Sequence, residues 1–374
     1  MSAPILAISR RTRRTPYTDR IEALGVKAYT VYNHMLLPTA FISPEEDYWH
    51  LRQHVQLWDV ACERQVEING PDAARLVQLM TPRNLSKVVV GQCAYAPLVD
   101  EKGGMINDPI ILKLAEDRYW LSIADSDVLL WARGLAVGMG LDVAICEPDV
   151  SPLAVQGPKA DDLMADVFGE DVRDIRFFRF KWLEFRGHPL LIARSGWSKQ
   201  GGFEIYLDRS DMGEDLWDTI WEAGAQYEIR PGCPNLIERI EGALLSYGND
   251  FTNDHNPLEC GLGQYCDLDS EIDYLGKQAL LAARDKGITR QFRGVSFEGE
   301  HCPSWRQAWP VLKGGQKVGE VMSVCRSPAL DRNIAIAMMD KSAWEGGTEI
   351  EVETPEGRRR GMVCDLPFKV PPME

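Results

Sequence analysis

The chain lacks most of the motifs that announce a catalytic machine. Its nine cysteines are scattered singly, the count is odd, and no Cys-x-x-Cys occurs. Neither a disulfide framework nor a zinc site is indicated, and reduced thiols in a cytoplasmic protein are the expectation. There is no Walker sequence and no Gly-x-Gly-x-x-Gly after a strand pattern; Gly261-Leu-Gly263 lacks the third glycine. A dinucleotide or nucleoside triphosphate site is therefore not indicated. No serine sits in a Gly-x-Ser-x-Gly elbow, which weakens a hydrolase reading. No apolar run reaches the length of a membrane-spanning helix. Positive charge is also short: 41 Lys and Arg against 56 Asp and Glu give a formal charge of −15. That balance disfavours nucleic acid and anionic membrane as partners, since both select for basic patches. The one basic run, Arg10-Arg-Thr-Arg-Arg14, is followed by no apolar stretch of signal-peptide length and reads as a solvated arm.

What is present describes an ordinary globular chain, 45% apolar and 26% charged over 374 residues. That length exceeds one ordinary core, so two or three domains are expected. In Ser43-Pro-Glu-Glu46, Ser43 can cap a helix, Pro44 suits its first turn and Glu46 completes a capping box. The helix is predicted to run to about 57. A strand over 65–68, a turn at Asn69-Gly-Pro71 and a helix over 72–80 follow. Residues 93–124 read as a meander, with strands over 93–99, 105–114 and 119–123. Further helices are predicted over 127–137, 158–167, 212–224 and 234–246. The irregular alternation favours an α+β fold over a βαβ repeat. Beyond about 288 short strands dominate, over 290–297, 309–312, 316–322, 334–339, 349–353 and 360–364, and suggest a small β-barrel or sandwich.

Candidate chemistry concentrates in Arg194-Ser-Gly-Trp-Ser-Lys-Gln-Gly-Gly-Phe-Glu-Ile-Tyr206, where glycines surround an aromatic face, a cation, a carboxylate and a phenol. On a strand, Glu204 and Tyr206 would share one face. This is either a wall for a planar heterocycle held at its edge by a carboxylate, or a glycine-rich hairpin with a solvated polar face. His50 and His54 lie one helical turn apart with Glu46 a turn earlier, but no third ligand is near. They read as packing or surface histidines rather than a metal site. Asn107-Asp108-Pro109 interrupts an apolar strand, where a carboxylate is costly unless paired or used. An edge aspartate bonding to a turn is the plain alternative. Tyr247-Gly-Asn-Asp250 closes the helix that carries Glu238, Arg239 and Glu241, with Gly248 as its C′ residue. Arg239 either pairs with those glutamates or reaches a ligand.

Four of these segments, in chain order, resemble the folate-dependent aminomethyltransferase family of the glycine-cleavage T-protein. They are Gly103-Gly-Met-Ile-Asn-Asp-Pro109, the 194–206 stretch, Arg239-Ile-Glu-Gly-Ala-Leu-Leu-Ser-Tyr-Gly-Asn-Asp250, and Gly319-Glu-Val-Met-Ser323 with Leu366-Pro-Phe368. The resemblance runs from about residue 30 to the end. Longer runs, including Ile8-Ser-Arg-Arg-Thr-Arg-Arg-Thr-Pro16, Tyr29-Thr-Val-Tyr-Asn-His-Met35 and Pro231-Gly-Cys-Pro-Asn-Leu-Ile-Glu-Arg239, resemble the branch that demethylates dimethylsulfoniopropionate. The T-protein's Asp-Asp pair is Asn107-Asp108 here, and the tyrosine of its glycine-rich segment is Trp197. These departures disfavour an aminomethyl-lipoyl substrate and favour a smaller cation.

The resemblance implies a three-domain cloverleaf with a C-terminal β-barrel or sandwich domain. Its first lobe would comprise 1–54 and 145–240, its second 55–144 and 241–287, and its third 288–374. The implied activity moves a methyl group from a sulfonium to N5 of tetrahydrofolate without a metal, giving a thioether and 5-methyltetrahydrofolate. The alternative is a folate-dependent enzyme acting on an amine or a methyl ether. Asp108 would be the catalytic residue, beside N5. Tyr95, Glu204, Arg239, Tyr247 and Ser122 would bind folate, and Tyr32, His34, Trp197, Lys199 and Tyr206 would face the sulfonium. The implied partners are these small molecules, with neither nucleic acid nor membrane, and a homodimer is compatible.

Overall fold

The computed structural model describes residues 9–302 and 307–372. Ile8, the first residue of the N-terminal run quoted above, lies outside them. The chain forms two compact units, one of Met1–Gln65, Pro148–Gly196 and Gln200–Asn235, the other of Val66–Glu147, Trp197–Lys199 and Leu236–Glu374.

The first unit is built on a six-stranded sheet ordered Phe180–Phe185, His188–Ala193, Gly202–Leu207, Ser151–Gln156, Gln56–Asp59 and Arg230–Gly232. Every pairing is antiparallel except the last, which is parallel. The three strands around Ser151–Gln156 are buried at every position, as expected where both faces of a sheet are covered. One face packs on helices Ala160–Phe168 and Gly213–Ala223. Leu163, Leu216, Trp217 and Ile220 from these helices join Leu153, Val155, Phe203 and Ile205 in one apolar core. Strand alternation then turns Ala154, Glu204 and Tyr206 to the opposite face.

Ser43 caps the first long helix by accepting from the Glu46 amide at 3.1 Å, with Pro44 in its first turn. That helix spans Pro44–Gln53 and stops short of the predicted end near 57, because Gln56–Asp59 is a central buried strand. A short continuous apolar run reads alike as a helix tail or a buried strand.

The second unit holds a five-stranded sheet ordered Ala144–Cys146, Gln65–Asn69, Arg118–Ser122, Ile110–Ala115 and Gln92–Tyr95. Helix Val128–Met139 lays Val128, Ala132 and Ala136, four apart, into the same core as Ile68, Ile111 and Leu121. The strand predicted over 105–114 is two strands. Met105–Asn107 pairs with Leu98–Val99, while Ile110–Ala115 joins the larger sheet, and the break falls at Asp108-Pro109. Pro109 has no ladder donor, so it suits the exchange between sheets.

The helix predicted over 234–246 is only Leu236–Glu241. Ala243 adopts φ 54°, the Leu244 amide donates to Arg239 O at 2.9 Å and the Ala243 amide to Ile240 O at 3.1 Å. This is a Schellman ending with Ala243, not Gly248, at C′. Gly248, φ 84°, serves the turn that bridges Tyr247 to Phe251.

The C-terminal strands close into a barrel in the order Arg290–Phe297, Arg332–Asp340, Gln316–Ser327, Trp309–Lys313, Glu349–Thr354 and Gly357–Cys364. The first strand pairs with both the second and the last, so no edge is left open. The expected α+β class and C-terminal β-barrel are both observed. Among the described residues no helix is long and apolar enough to cross a membrane.

Candidate active site

The residues singled out from the sequence fall into two sets, one in each unit. In the first unit Glu204 lies mid-strand, flanked in register by Ala154 and Ala193. Two methyl groups beside it leave room around a carboxylate that is itself only 8% exposed. Its Oε2 accepts from the Ser195 hydroxyl, and from the Tyr206 hydroxyl at 3.3 Å. Burial raises its proton affinity, and these two donors oppose that rise. Both donors meet the same oxygen, Oε2.

Gln156, 1% exposed, spans the neck of the loop that precedes this strand, donating to Ser195 O at 3.2 Å and to Phe203 O at 3.3 Å. The glycines of the loop follow from that clamp. A Cβ on Gly196 would lie 2.2 Å from Gln156 Oε1, and one on Gly202, at φ 140°, would lie 2.2 Å from Val155 O. Gly202→Ala is therefore expected to cost about 2–3 kcal/mol through strain at a left-handed position against fixed backbone. Denaturant unfolding checks this, and an unchanged midpoint would show that the strand yields.

Tyr32 ends strand Ala28–Tyr32, and His34 is the second residue of the two-residue turn that leads to strand Met35–Ala40. Asn33 and His34 both have positive φ, 47° and 63°, a type I′ hairpin turn. Asn33 anchors it by donating to Cys62 O at 3.0 Å, and His34 is exposed. His50 and His54 are packing residues. His50 Nε2 lies 2.8 Å from Glu228 O, and burial pushes its proton affinity down to about 4. His54 Nδ1 contacts Lys159 Nζ at 3.0 Å.

In the second unit Tyr95 and Asp108 meet directly. The Tyr95 hydroxyl donates to Asp108 Oδ2 at 3.0 Å. Burial first, and the charge of Asp250 second, push the Asp108 carboxyl up to about 7, while the Tyr95 bond opposes them. Burial and Asp108 hold the Tyr95 phenol well above its ordinary value, so it stays a donor throughout the physiological range. Asn107, fully buried, pins the strand break: its amide donates to Ala124 O at 3.0 Å and Ser126 Oγ at 2.8 Å, and its oxygen accepts from the Ala124 amide. An asparagine can do both; a carboxylate could only accept. Burial, then Asp108, raise the Tyr247 phenol. Ser122 is nearly buried and sits opposite Ile110.

Trp197 and Lys199 belong to the second unit with Arg239. Arg239 Cζ lies 5.9 Å from the Trp197 ring centroid, and Lys199, at φ 61°, is exposed. Arg239 itself is 3% exposed and bonded to Asp250 and Ser323. The sequence reading left Ser195 and Gln156 without a role and gave Asp250 and Ser323 none beyond their motifs. Their importance depends on strand register and on a barrel residue far along the chain, which spacing does not carry.

The profile of the GCVT N-terminal domain matches residues 17–270, and that of the glycine cleavage T-protein C-terminal barrel domain matches 290–369. The chain is 57% identical over 351 residues to the dimethylsulfoniopropionate demethylase DmdA of Ruegeria pomeroyi, covering 94% of this chain and 96% of that one. It is 31% identical over 363 residues to an aminomethyltransferase of Bacillus mycoides, covering 95% and 98%. Its fold is similar to the crystal structure of the glycine cleavage system aminomethyltransferase T of Bartonella henselae, with a TM-score of 0.85 and 23% identity over 96% of this chain and 98% of that one.

Proposed function

Since the chain belongs to the glycine cleavage T-protein family, we propose that it is its own methyl-transferring branch at work: a tetrahydrofolate-dependent demethylase of dimethylsulfoniopropionate. It moves one S-methyl group to N5 of tetrahydrofolate, giving 3-(methylthio)propanoate and 5-methyltetrahydrofolate. The observation that carries this is 57% identity over nearly the whole chain to a demethylase of that substrate, against 31% to aminomethyltransferases. Transfer from an amine or a methyl ether is correspondingly disfavoured.

The residues suit the folate. A carboxylate matches the two adjacent N–H donors of an aminopyrimidine edge, and the buried Glu204 supplies it. Tyr95, Tyr247 and Ser122 furnish the folate contacts of the second unit, whereas Arg239, expected among them, has both terminal nitrogens taken by Asp250, Leu244 and Ser323. Tetrahydrofolate supplies the nitrogen that accepts the methyl group. The sulfonium is already an activated leaving group, so the protein needs no nucleophile and no metal of its own. Its work is to hold sulfur, methyl and nitrogen in line, which can contribute on the order of 7–11 kcal/mol. Asp108 stabilises the charge that arrives at N5 and takes its proton. For the sulfonium, Trp197 and Lys199 are the second unit's candidates and Tyr32, His34 and Tyr206 the first unit's, and Trp197 attracts the cation through its ring face.

Two measurements test these assignments. Presented with tetrahydrofolate and either dimethylsulfoniopropionate or a methylamine donor, the protein should turn over the sulfonium; preference for the amine would contradict the reading. Glu204→Gln should weaken folate binding by about 1.5–3 kcal/mol, the usual worth of a hydrogen bond to a charged group. Calorimetric titration that finds folate affinity unchanged would remove Glu204 from the folate site.

A further inference from the structure

The two terminal nitrogens of Arg239 are consumed inside the second unit. Nη1 donates to Asp250 and to Leu244 O at 3.1 Å, and Nη2 donates to the Ser323 hydroxyl. That hydroxyl donates onward to Asp250 Oδ1, while Oδ2, the oxygen that Arg239 meets, also accepts from the Ser246 amide at 2.8 Å. The group is sealed: the Arg239 and Asp250 side chains are 4% and 0% exposed, and Ser323 is 0% exposed. A buried ion pair is costly unless its remaining donors and acceptors are met. Ser323, reaching in from barrel strand Gln316–Ser327, meets one on each partner. The Cζ atom of this held guanidinium lies over the Trp197 ring, 5.9 Å from its centroid. A planar guanidinium stacks on an aromatic face in a way an ammonium does not. Lys199 is seated on the same helix end, since a Cβ on Gly242 would fall 2.8 Å from Lys199 Cγ.

We propose that Ser323 and Asp250 are positioning residues for substrate recognition: they fix the plane of Arg239, and Arg239 fixes the Trp197 ring for the sulfonium. The proposal rests on the sulfonium reading of Trp197 given above. A hydroxyl on the barrel thus governs how well a cation is held by a loop more than a hundred residues earlier in the chain. Ser323 and Asp250 are both fully buried and act through Arg239.

The test compares the parent with Ser323→Ala, which leaves the Arg239–Asp250 pair in place, and with Ser323→Thr, which restores the hydroxyl. Hydroxyl-radical labelling without substrate, read by mass spectrometry, reports Trp197 beside two buried controls, Trp120 and Trp217. In Ser323→Ala, labelling of Trp197 should at least double while both controls stay constant. The dissociation constant of dimethylsulfoniopropionate should rise about tenfold, the order expected for losing a hydrogen bond to a charged group, with kcat at saturation changed far less. Ser323→Thr should return both values toward the parent. Unchanged Trp197 labelling in Ser323→Ala, or an equal rise at all three tryptophans, would overturn the proposal and leave Ser323 a merely structural residue. A parent that binds no dimethylsulfoniopropionate would instead sink the functional reading, and the labelling would still decide whether the triad holds Trp197.

Discussion

Asp108→Asn should cut kcat by about 10²–10⁴-fold, the range a positioned proton acceptor contributes, and should make the folded protein more stable above neutral pH. Both effects have one cause. The carboxyl is placed where burial and Asp250 raise its proton affinity to about 7, so the ionised form that catalysis uses is the form the fold disfavours. An unfolded aspartate titrates near 3.8. Between that value and about 7 the native state keeps a proton that the unfolded state has released. The stability contributed by Asp108 is therefore fully present below about pH 4 and is lost as pH rises through about 7. A shift of about three units at about 1.4 kcal/mol each sets an upper bound of about 4 kcal/mol on that loss. Asparagine keeps an acceptor for the Tyr95 hydroxyl and never ionises, so the variant should escape the loss. Unfolding at about pH 3.5 and about pH 8 should show the variant level with the parent at the first and ahead of it at the second. In the parent, kcat/KM for tetrahydrofolate should rise with pH through a midpoint near 7, and the variant should lack that limb. A variant with full kcat would remove Asp108 from the chemistry.

The largest loss of stability is expected from Asp250→Ala. Asp250 is fully buried and accepts from Arg239, Ser323 and the Ser246 amide. Its removal strands a guanidinium whose side chain is only 4% exposed, and breaking a buried pair from one side costs about 3–5 kcal/mol. For a unit of this size that corresponds to a fall in Tm on the order of 10 °C. Removing the charge from both sides, Asp250→Ala with Arg239→Met, should recover part of the loss, since no uncompensated ion remains. Calorimetric melting of the parent, the single variant and the double variant decides it. A fall of less than about 2 °C for Asp250→Ala would mean that water enters to solvate Arg239 and that the triad is not closed.

Much of the fold was legible in the chain, and the failures have physical reasons. The helix cap at Ser43, the α+β class, the change of character near 288 and the shared face of Glu204 and Tyr206 all rest on local chemistry: a capping hydroxyl, turn residues and two-residue alternation. What misled was burial from both sides. Residues 54–57 read as the tail of a helix because a central strand shows no alternation. The strand over 105–114 read as one element because nothing local says that its halves belong to different sheets. The helix over 234–246 read as too long because Ala243, rather than a glycine, takes the left-handed position that ends it. The site divided in the same way. Asp108 stood out as a carboxylate in an apolar strand and Glu204 as one in a glycine-rich stretch, whereas Tyr95 was implied only by the family resemblance. Ser195, Gln156 and Ser323 act through register and through contacts far apart in sequence, which no spacing announces.

The central claim is that a sulfonium methyl group passes intact to folate nitrogen. Dimethylsulfoniopropionate carrying deuterated S-methyl groups, incubated with the protein and tetrahydrofolate, tests it in one experiment. The account predicts one equivalent of 5-methyltetrahydrofolate with all three deuterons retained for each equivalent of 3-(methylthio)propanoate formed, and no thioether in the absence of tetrahydrofolate. Thioether released without folate, or 5-methyltetrahydrofolate free of deuterium, would contradict it.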